Sequence, residues 1–443
     1  MDKARQLDHK IWGIAWPAIL SNISTPLLGL VDAAILGHLG STHYLGAVAI
    51  GAALLSFLYW GFSFLRMGTT GLVAKATGAG EHERATLVLA QSAVLALVLA
   101  LAVVALHPLW LALGLHLMSP QAELLPLASN YATIRIFSAP AVLLTYAVVG
   151  WFIGRQNTRW PMVIMISTNA ANIALDFLFI IGLGLNSEGA ALATLVAEYL
   201  GLGIALFAVA KSLPHQLDSR LYRQLLQFSD YRQLLRSNRH LFLRTVTLLF
   251  SFAFFTAMGD KLGADTLAAN AIMMQLLLFA AYGMDGFAYA AEGLTGSALG
   301  ARNIQAFDAA VARCSFWCGI SAVLVSLFFL IGHSYLFALL TSIAEVRDIM
   351  FAHSPWLIIL PLLAAPSYLL DGVFIGSAET RYMRTTMLFS TLCVYLPLWY
   401  LTRDLGNHGL WLAFAGFNTA RGITLYHYFR QLSGNDAWLR DPA

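Results

Sequence analysis

Gly150-Trp151-Phe152-Ile153-Gly154, ending in Thr158-Arg159, returns 222 residues later as Gly372-Val373-Phe374-Ile375-Gly376, ending in Thr380-Arg381. The same offset aligns Ala49-Ile50 with Ala271-Ile272, Gly71-Leu72 with Gly293-Leu294 and Gly78-Ala79 with Gly300-Ala301. One register covering separated segments marks an internal duplication, and a duplication decides the architecture before any single residue is interpreted.

The duplicated unit is made for lipid. The 443 residues are 59% apolar and 11% charged, with a mean hydropathy of +0.70, whereas a soluble chain carries about a quarter charged residues. Apolar stretches of the length needed to cross a bilayer, about 20 residues, fall at 11–36, 44–66, 85–113, 122–153, 160–184 and 188–211. Six more follow at 237–260, 266–288, 306–338, 346–376, 382–402 and 408–430. The expectation is an all-α integral membrane protein of twelve transmembrane helices in two six-helix lobes. Six is even, so both halves enter from the same side and are related by a pseudo-twofold axis along the membrane normal. The lobes are expected at 1–211 and 237–443, joined by an arginine-rich cytoplasmic linker at 212–236.

A formal net charge of +3 would suggest nucleic acid only if the basic residues shared one soluble face. With the N-terminus in the cytoplasm, about twenty-two of the 26 Lys and Arg residues fall on the cytoplasmic side, as the positive-inside rule requires. Lys261, Arg347 and Arg403 are external, and Arg135 is stranded inside a span. No nucleic-acid partner is implied; the partners are the bilayer and small molecules, and the termini are expected in the cytoplasm. The first span is too long for a signal h-region and lacks a small-residue cleavage site, so it is read as retained. Cys314, Cys318 and Cys393 all fall in spans without metal or disulfide spacing and are read as packing residues.

Ionisable side chains near the bilayer centre cost about 2.5–3.5 kcal/mol or more on insertion, so each needs a partner, a cavity or a function. Asp32 sits in the otherwise apolar run Leu27-Leu28-Gly29-Leu30-Val31-Asp32-Ala33-Ala34-Ile35-Leu36. Asn169, Asn172 and Asp176 are spaced three and four apart, which stacks them on one face of the fifth span. Thr194 and Glu198 repeat that spacing in the sixth. Such oxygens suit Na⁺, and a close carboxylate pair equally favours holding one proton, so the residues leave the coupling ion open between H⁺ and Na⁺. The position 222 residues after Asp176 is Leu398, so the cluster is not duplicated and the lobes differ in function. The second half carries Asp285 and Asp371 instead, candidate contacts for a cationic substrate or second ion. Glu292 is placed near the inner surface. Pro17 and Pro26 each remove a backbone hydrogen bond from the first span and are candidate hinges.

With these residues in place, the chain resembles the MATE (multidrug and toxic compound extrusion) family, specifically its DinF-like branch. The resemblance runs nearly full length through Pro26-Leu27-Leu28-Gly29-Leu30-Val31-Asp32, Gly37-His38-Leu39-Gly40, Arg66-Met67-Gly68-Thr69-Thr70-Gly71, Asn172-Ile173-Ala174-Leu175-Asp176 and Glu188-Gly189-Ala190-Ala191-Leu192-Ala193-Thr194. Asp285-Gly286-Phe287-Ala288-Tyr289-Ala290 and Leu370-Asp371-Gly372-Val373-Phe374-Ile375-Gly376 extend it into the second half. The resemblance implies the MATE fold and export of amphipathic or cationic compounds by alternating access, driven by inward H⁺, with Na⁺ as the alternative. It implies an N-lobe ion site at Asp32, Asn172, Asp176 and Thr194 with Tyr131 beside it, and it assigns Pro17 to a bend linked to protonation. It further implies a bacterial inner membrane, a monomer and no organic cofactor.

Three other classes compete. A channel fits the alternating lobes and buried single-site carboxylates less well than a carrier does. A lipid or glycolipid flippase of the same superfamily would favour a strongly cationic lateral cavity, and Arg135 is the one clear midmembrane base, which argues against an anionic lipid carrier. A hydrolase would need a Gly-x-Ser-x-Gly, His-Glu-x-x-His or phosphate-loop motif, and the sequence has none, so no catalytic residue is assigned.

Overall fold

In a computed structural model the chain is helical almost throughout, as it must be where lipid offers backbone groups no partner. The structure describes residues 2–37, 42–118, 121–213, 225, 227, 231–434 and 437–439; most of the 212–236 linker lies outside the described residues. Among the described residues twelve main helical segments follow in order, with a shorter helix, His107–Met118, between the third and the fourth. They are α1 (Asp2–Gly37), α2 (His43–Gly78), α3 (His82–Ala105), α4 (Leu125–Ile136 with Ala139–Gly154), α5 (Arg159–Gly182) and α6 (Asn186–Ser212). Then come α7 (Arg232–Asp260), α8 (Ala264–Gly300), α9 (Ile304–Leu340), α10 (Ala344–Gly376), α11 (Thr380–Leu405) and α12 (Asn407–Gly434). Ten of them are long and apolar enough to cross a membrane, eleven with α4, whose two pieces meet at 50°. The twelfth, α12, is more polar because it carries Asn418 and Arg421, both buried. Large apolar side chains face outward, Ile331 being 76% and Leu339 81% exposed: a surface made for lipid.

The duplication is written into the backbone. Among residues with a left-handed backbone, Gly80 (φ 76) pairs with Arg302 (φ 54), Gln156 (φ 60) with Ala378 (φ 55), and Gly184 (φ 69) with Gly406 (φ 59). Each pair is 222 residues apart, so corresponding turns use the same strained step whether or not glycine is available to relieve it.

The chain forms two compact units. One comprises Leu20–Val73 and Glu81–Leu235; the other comprises Arg236–Ala443 together with Met1–Ile19 and Ala74–Gly80. We call them the N-terminal and C-terminal units. The C-terminal unit is centred on Phe255, Met273, Phe337, Tyr395, Trp411 and Phe417. Within it, segment 74–78 meets segment 296–300 through small residues. A Cβ on Gly296 would lie 2.5 Å from that of Ala74, one on Gly78 1.9 Å from the Ser297 carbonyl oxygen, and one on Gly300 2.0 Å from that of Lys75. Ala74 and Gly296, Lys75 and Ser297, and Gly78 and Gly300 are all repeat mates, so the contact is reciprocal in the way a local two-fold relation requires.

Several sequence expectations change in detail. Glu292 is 1% exposed rather than at a wet inner surface, because α8 continues as a packed helix to Gly300. Arg244 and Arg421, counted as cytoplasmic charges, are buried in the C-terminal unit. Cys314 and Cys318 are buried as packing residues, whereas Cys393 is exposed.

Candidate functional site

Asp176 ends the regular part of α5; the next residues, Phe177–Gly182, are wound as a π-helix, a local defect often found where a helix serves a site. The 3.6-residue period carries Asn169, Asn172 and Asp176 to the interior of the N-terminal unit, 8%, 0% and 1% exposed. With its amide oriented to satisfy both ends, Asn172 donates to Asp176 Oδ2 at 2.7 Å and accepts from the Thr194 hydroxyl at 2.8 Å and backbone N–H at 3.2 Å. Asn169 Nδ2 donates to Ser24 Oγ of α1 at 2.9 Å. Helices α1, α5 and α6 are thereby laced by side chains that the apolar spans otherwise lack.

Asp32 of α1 completes the site. Its carboxyl group lies within hydrogen-bonding reach of that of Asp176, and Oδ1 of each residue is buried without a donor. Two carboxylates this close repel each other when both are ionised, so the arrangement favours a proton or a cation on the pair.

Tyr131 is 3% exposed, and its ring fills the space that a Cβ on Gly51 would take, 2.5 Å away. Its hydroxyl accepts from Arg135 Nη1 at 3.2 Å. Arg135 is the group that sequence reasoning passed over, although a lone arginine inside a span was the signal. Its charge reaches Asp32, Asp176 and Glu198 together. The Tyr59 hydroxyl closes the layer, 3.0 Å from Ser138 Oγ and 3.2 Å from the Arg135 carbonyl oxygen, to which it donates.

Pro17 and Pro26 both lie within the continuous helix α1. The division between the two units falls between them, after Ile19.

In the C-terminal unit Asp371 is held differently from a free cation contact. Its Oδ2 accepts from Arg244 Nη2 at 2.5 Å and Arg421 Nη2 at 2.7 Å, so its charge is already matched. Arg421 Nη1 also donates to Asn418 Oδ1 at 3.4 Å. Asp285 lies in charge range of Tyr282, Cys318 and Tyr368, and Tyr368 is itself in charge range of Asp371, Arg244 and Arg421. Beside the triad is an apolar cleft lined by Phe252, Met274, Met284, Tyr368, Phe414 and Asn418.

Comparison with known proteins finds relatives along nearly the whole length of the chain. The MatE family model matches residues 17–178 and again 241–401, once in each repeat. The chain is 40% identical to the DNA damage-inducible protein F of Escherichia coli (strain K12) over 97% of this chain and 94% of that one. It is 26% identical to a probable multidrug resistance protein NorM of Thermotoga maritima over 53% of this chain and 51% of that one. A crystal structure of the Vibrio cholerae MATE transporter VcmN has the same fold, with TM-score 0.87 at 22% identity over 99% of this chain and 100% of that one. The chain therefore belongs to the MatE family of multi-pass membrane proteins and is a secondary transporter of small molecules, not an enzyme.

Proposed function

We propose that this transporter is a proton-driven multidrug antiporter whose coupling site is the Asp32–Asp176 pair, with Asn172, Thr194 and Tyr131 as its polar frame. The observation that carries the reading is the facing carboxyl pair of Asp32 and Asp176, with Oδ1 of each buried and without a partner.

In this reading an external proton neutralises the pair, α1 bends at Pro17, the cavity of the N-terminal lobe is reshaped, and bound substrate leaves. Proton and substrate compete for one state of the lobe, and that competition is the coupling. A membrane potential of about 150 mV provides roughly 3.5 kcal/mol per charge moved inward. At about 1.4 kcal/mol per tenfold, this sustains a several-hundredfold gradient of a neutral substrate. Less is left for a cation, whose export works against the same potential. The charge distribution of the loops supports a location in a cytoplasmic membrane with both termini inside, and we divide the chain into lobes 1–211 and 237–443 around the 212–236 linker, acting as a monomer.

Reconstitution in liposomes tests the reading: efflux of a cationic dye is followed under a pH gradient, a Na⁺ gradient or neither. The expected outcome is efflux driven by pH alone and abolished in a folded Asp32→Asn variant. Efflux that requires Na⁺, or a pH-driven rate unchanged by Asp32→Asn, would overturn it.

A further inference from the structure

We propose that Glu198 is a second proton carrier of the transport cycle, positioned by Arg135 one helical turn beyond the aspartate pair. The proposal deepens the reading above and rests on it. Thr194 and Glu198 lie four residues apart on α6, as do Tyr131 and Arg135 on α4, so each pair shares a face about 6 Å apart along its helix. Two layers result. The first holds Asp176, Asn172 and Thr194 in a hydrogen-bonded row, with Asp32 against Asp176. The second holds Arg135, Glu198, Ser138 and Tyr59. Arg135 ties the layers together, donating to Tyr131 of the first at 3.2 Å while its charge reaches Glu198 of the second. Its Nε is buried with no acceptor, so the guanidinium is not saturated by fixed partners.

Charge balance gives the layers their role. Among the described residues Arg135 is the cation whose charge reaches the three carboxyl groups of Asp32, Asp176 and Glu198, which lie together with the neutral hydroxyls of Tyr59 and Tyr131 and, next to Glu198, Tyr199. Full ionisation would leave two negative charges without a counter-ion, a costly state. With one proton on the aspartate pair, Arg135 faces two carboxylates, that of Glu198 and the remaining aspartate, and the cluster carries a net charge of −1. With the proton on Glu198, Arg135 faces the ionised pair. The step breaks an O–H bond at an aspartate oxygen and forms one at a Glu198 oxygen, with Arg135 cationic throughout and the net charge of the cluster unchanged. Glu198 and the fixed arginine thus let a proton leave the pair with the cluster held at a net charge of −1, whereas a lone aspartate pair that lost its proton would go to −2. Glu198 interacts with Arg135 through charge and not through a formed hydrogen bond, as a group that must both accept and release a proton requires.

The test compares wild type, Glu198→Gln, Glu198→Asp and Asp32→Asn in liposomes, measuring dye affinity, pH-driven dye efflux and its pH profile. Glu198→Gln is expected to bind the dye as wild type does while efflux slows on the order of a hundredfold, the lower range for loss of a positioned proton-transfer group. Glu198→Asp is expected to restore much of the rate with a displaced pH profile. Wild-type efflux and pH profile in Glu198→Gln, with Asp32→Asn inactive, would overturn this proposal alone. Active Asp32→Asn would overturn the aspartate reading and this proposal with it. Should Glu198→Gln fail to fold, Glu198→Asp decides: an unchanged rate and profile would overturn the proposal.

Discussion

Asp371 binds two arginines through one oxygen, and Arg244, Arg421 and Asp371 are all buried, 6%, 2% and 7% exposed. Removing the carboxylate leaves two guanidiniums buried without a counter-charge, and breaking such a pair costs about 3–5 kcal/mol. Asp371→Asn is therefore expected to lower the thermal midpoint of the detergent-purified protein sharply, whereas Arg421→Met, which leaves one ion pair standing, lowers it less. A wild-type midpoint for Asp371→Asn would show that the triad does not hold the fold. The same residue marks a limit of sequence reading. Asp371 stood out as a carboxylate in a span, but its partners are 127 and 50 residues away, and no local spacing rule joins them. Asn169, Asn172 and Asp176 were legible because the helix period alone brings them to one face. Asp32 was legible by its cost in lipid, but its contact with Asp176 is a tertiary fact.

Helix α1 begins at Asp2, well before the apolar run that starts at 11, and α2 and α8 continue to Gly78 and Gly300 beyond the spans expected at 44–66 and 266–288. Hydropathy marks where lipid demands apolar residues; it does not mark where a helix stops. These polar extensions have partners of their own. Asp8 of α1 accepts from Arg313 Nε at 2.8 Å and Trp317 Nε1 at 2.9 Å, and a second Arg313 N–H reaches its other oxygen. Trp12 meets Phe287 and Trp317 edge-on, each at 5.2 Å. At Gly286, where a Cβ would lie 2.8 Å from the Ala15 carbonyl oxygen, α8 and α1 approach backbone to backbone. The start of α1 is thus clasped within the C-terminal unit, while from Leu20 onward the helix counts with the N-terminal unit. A bend at Pro17 would act at this junction. Asp8→Ala removes these charge-assisted hydrogen bonds, which solvent screens because the pair is partly exposed. It is expected to retain dye binding but slow pH-driven efflux several-fold. If the clasp acts as one pair, Asp8→Ala/Arg313→Ala will be no slower than either single variant; additive losses would show that the two residues act separately.

At the scale of the molecule, the duplication predicts where the chain cannot tolerate a side chain. The repeat was legible in the sequence as short matched motifs, and the matched left-handed turns follow from it. What the motifs did not reveal is that repeat mates touch: 74–78 and 296–300 pack within the C-terminal unit through Ala74, Gly78, Gly296 and Gly300. The obstruction at Gly300 is the Lys75 carbonyl oxygen, 2.0 Å from the added Cβ. Backbone cannot rotate aside as a side chain can, so Gly300→Val must part the seam. Gly78→Val meets the Ser297 carbonyl at 1.9 Å and should act in the same way, because a two-fold contact is equally sensitive from either side. Ala76, 3% exposed, is the reporter. In a background with the exposed Cys393 replaced by serine, Ala76→Cys is expected to resist maleimide when both glycines are present. It should label readily when either glycine is valine, with transport falling in parallel. Protection of Ala76→Cys that survives both valine substitutions would mean that the seam closes without its glycines, and that the contact between repeat mates does not govern the cycle.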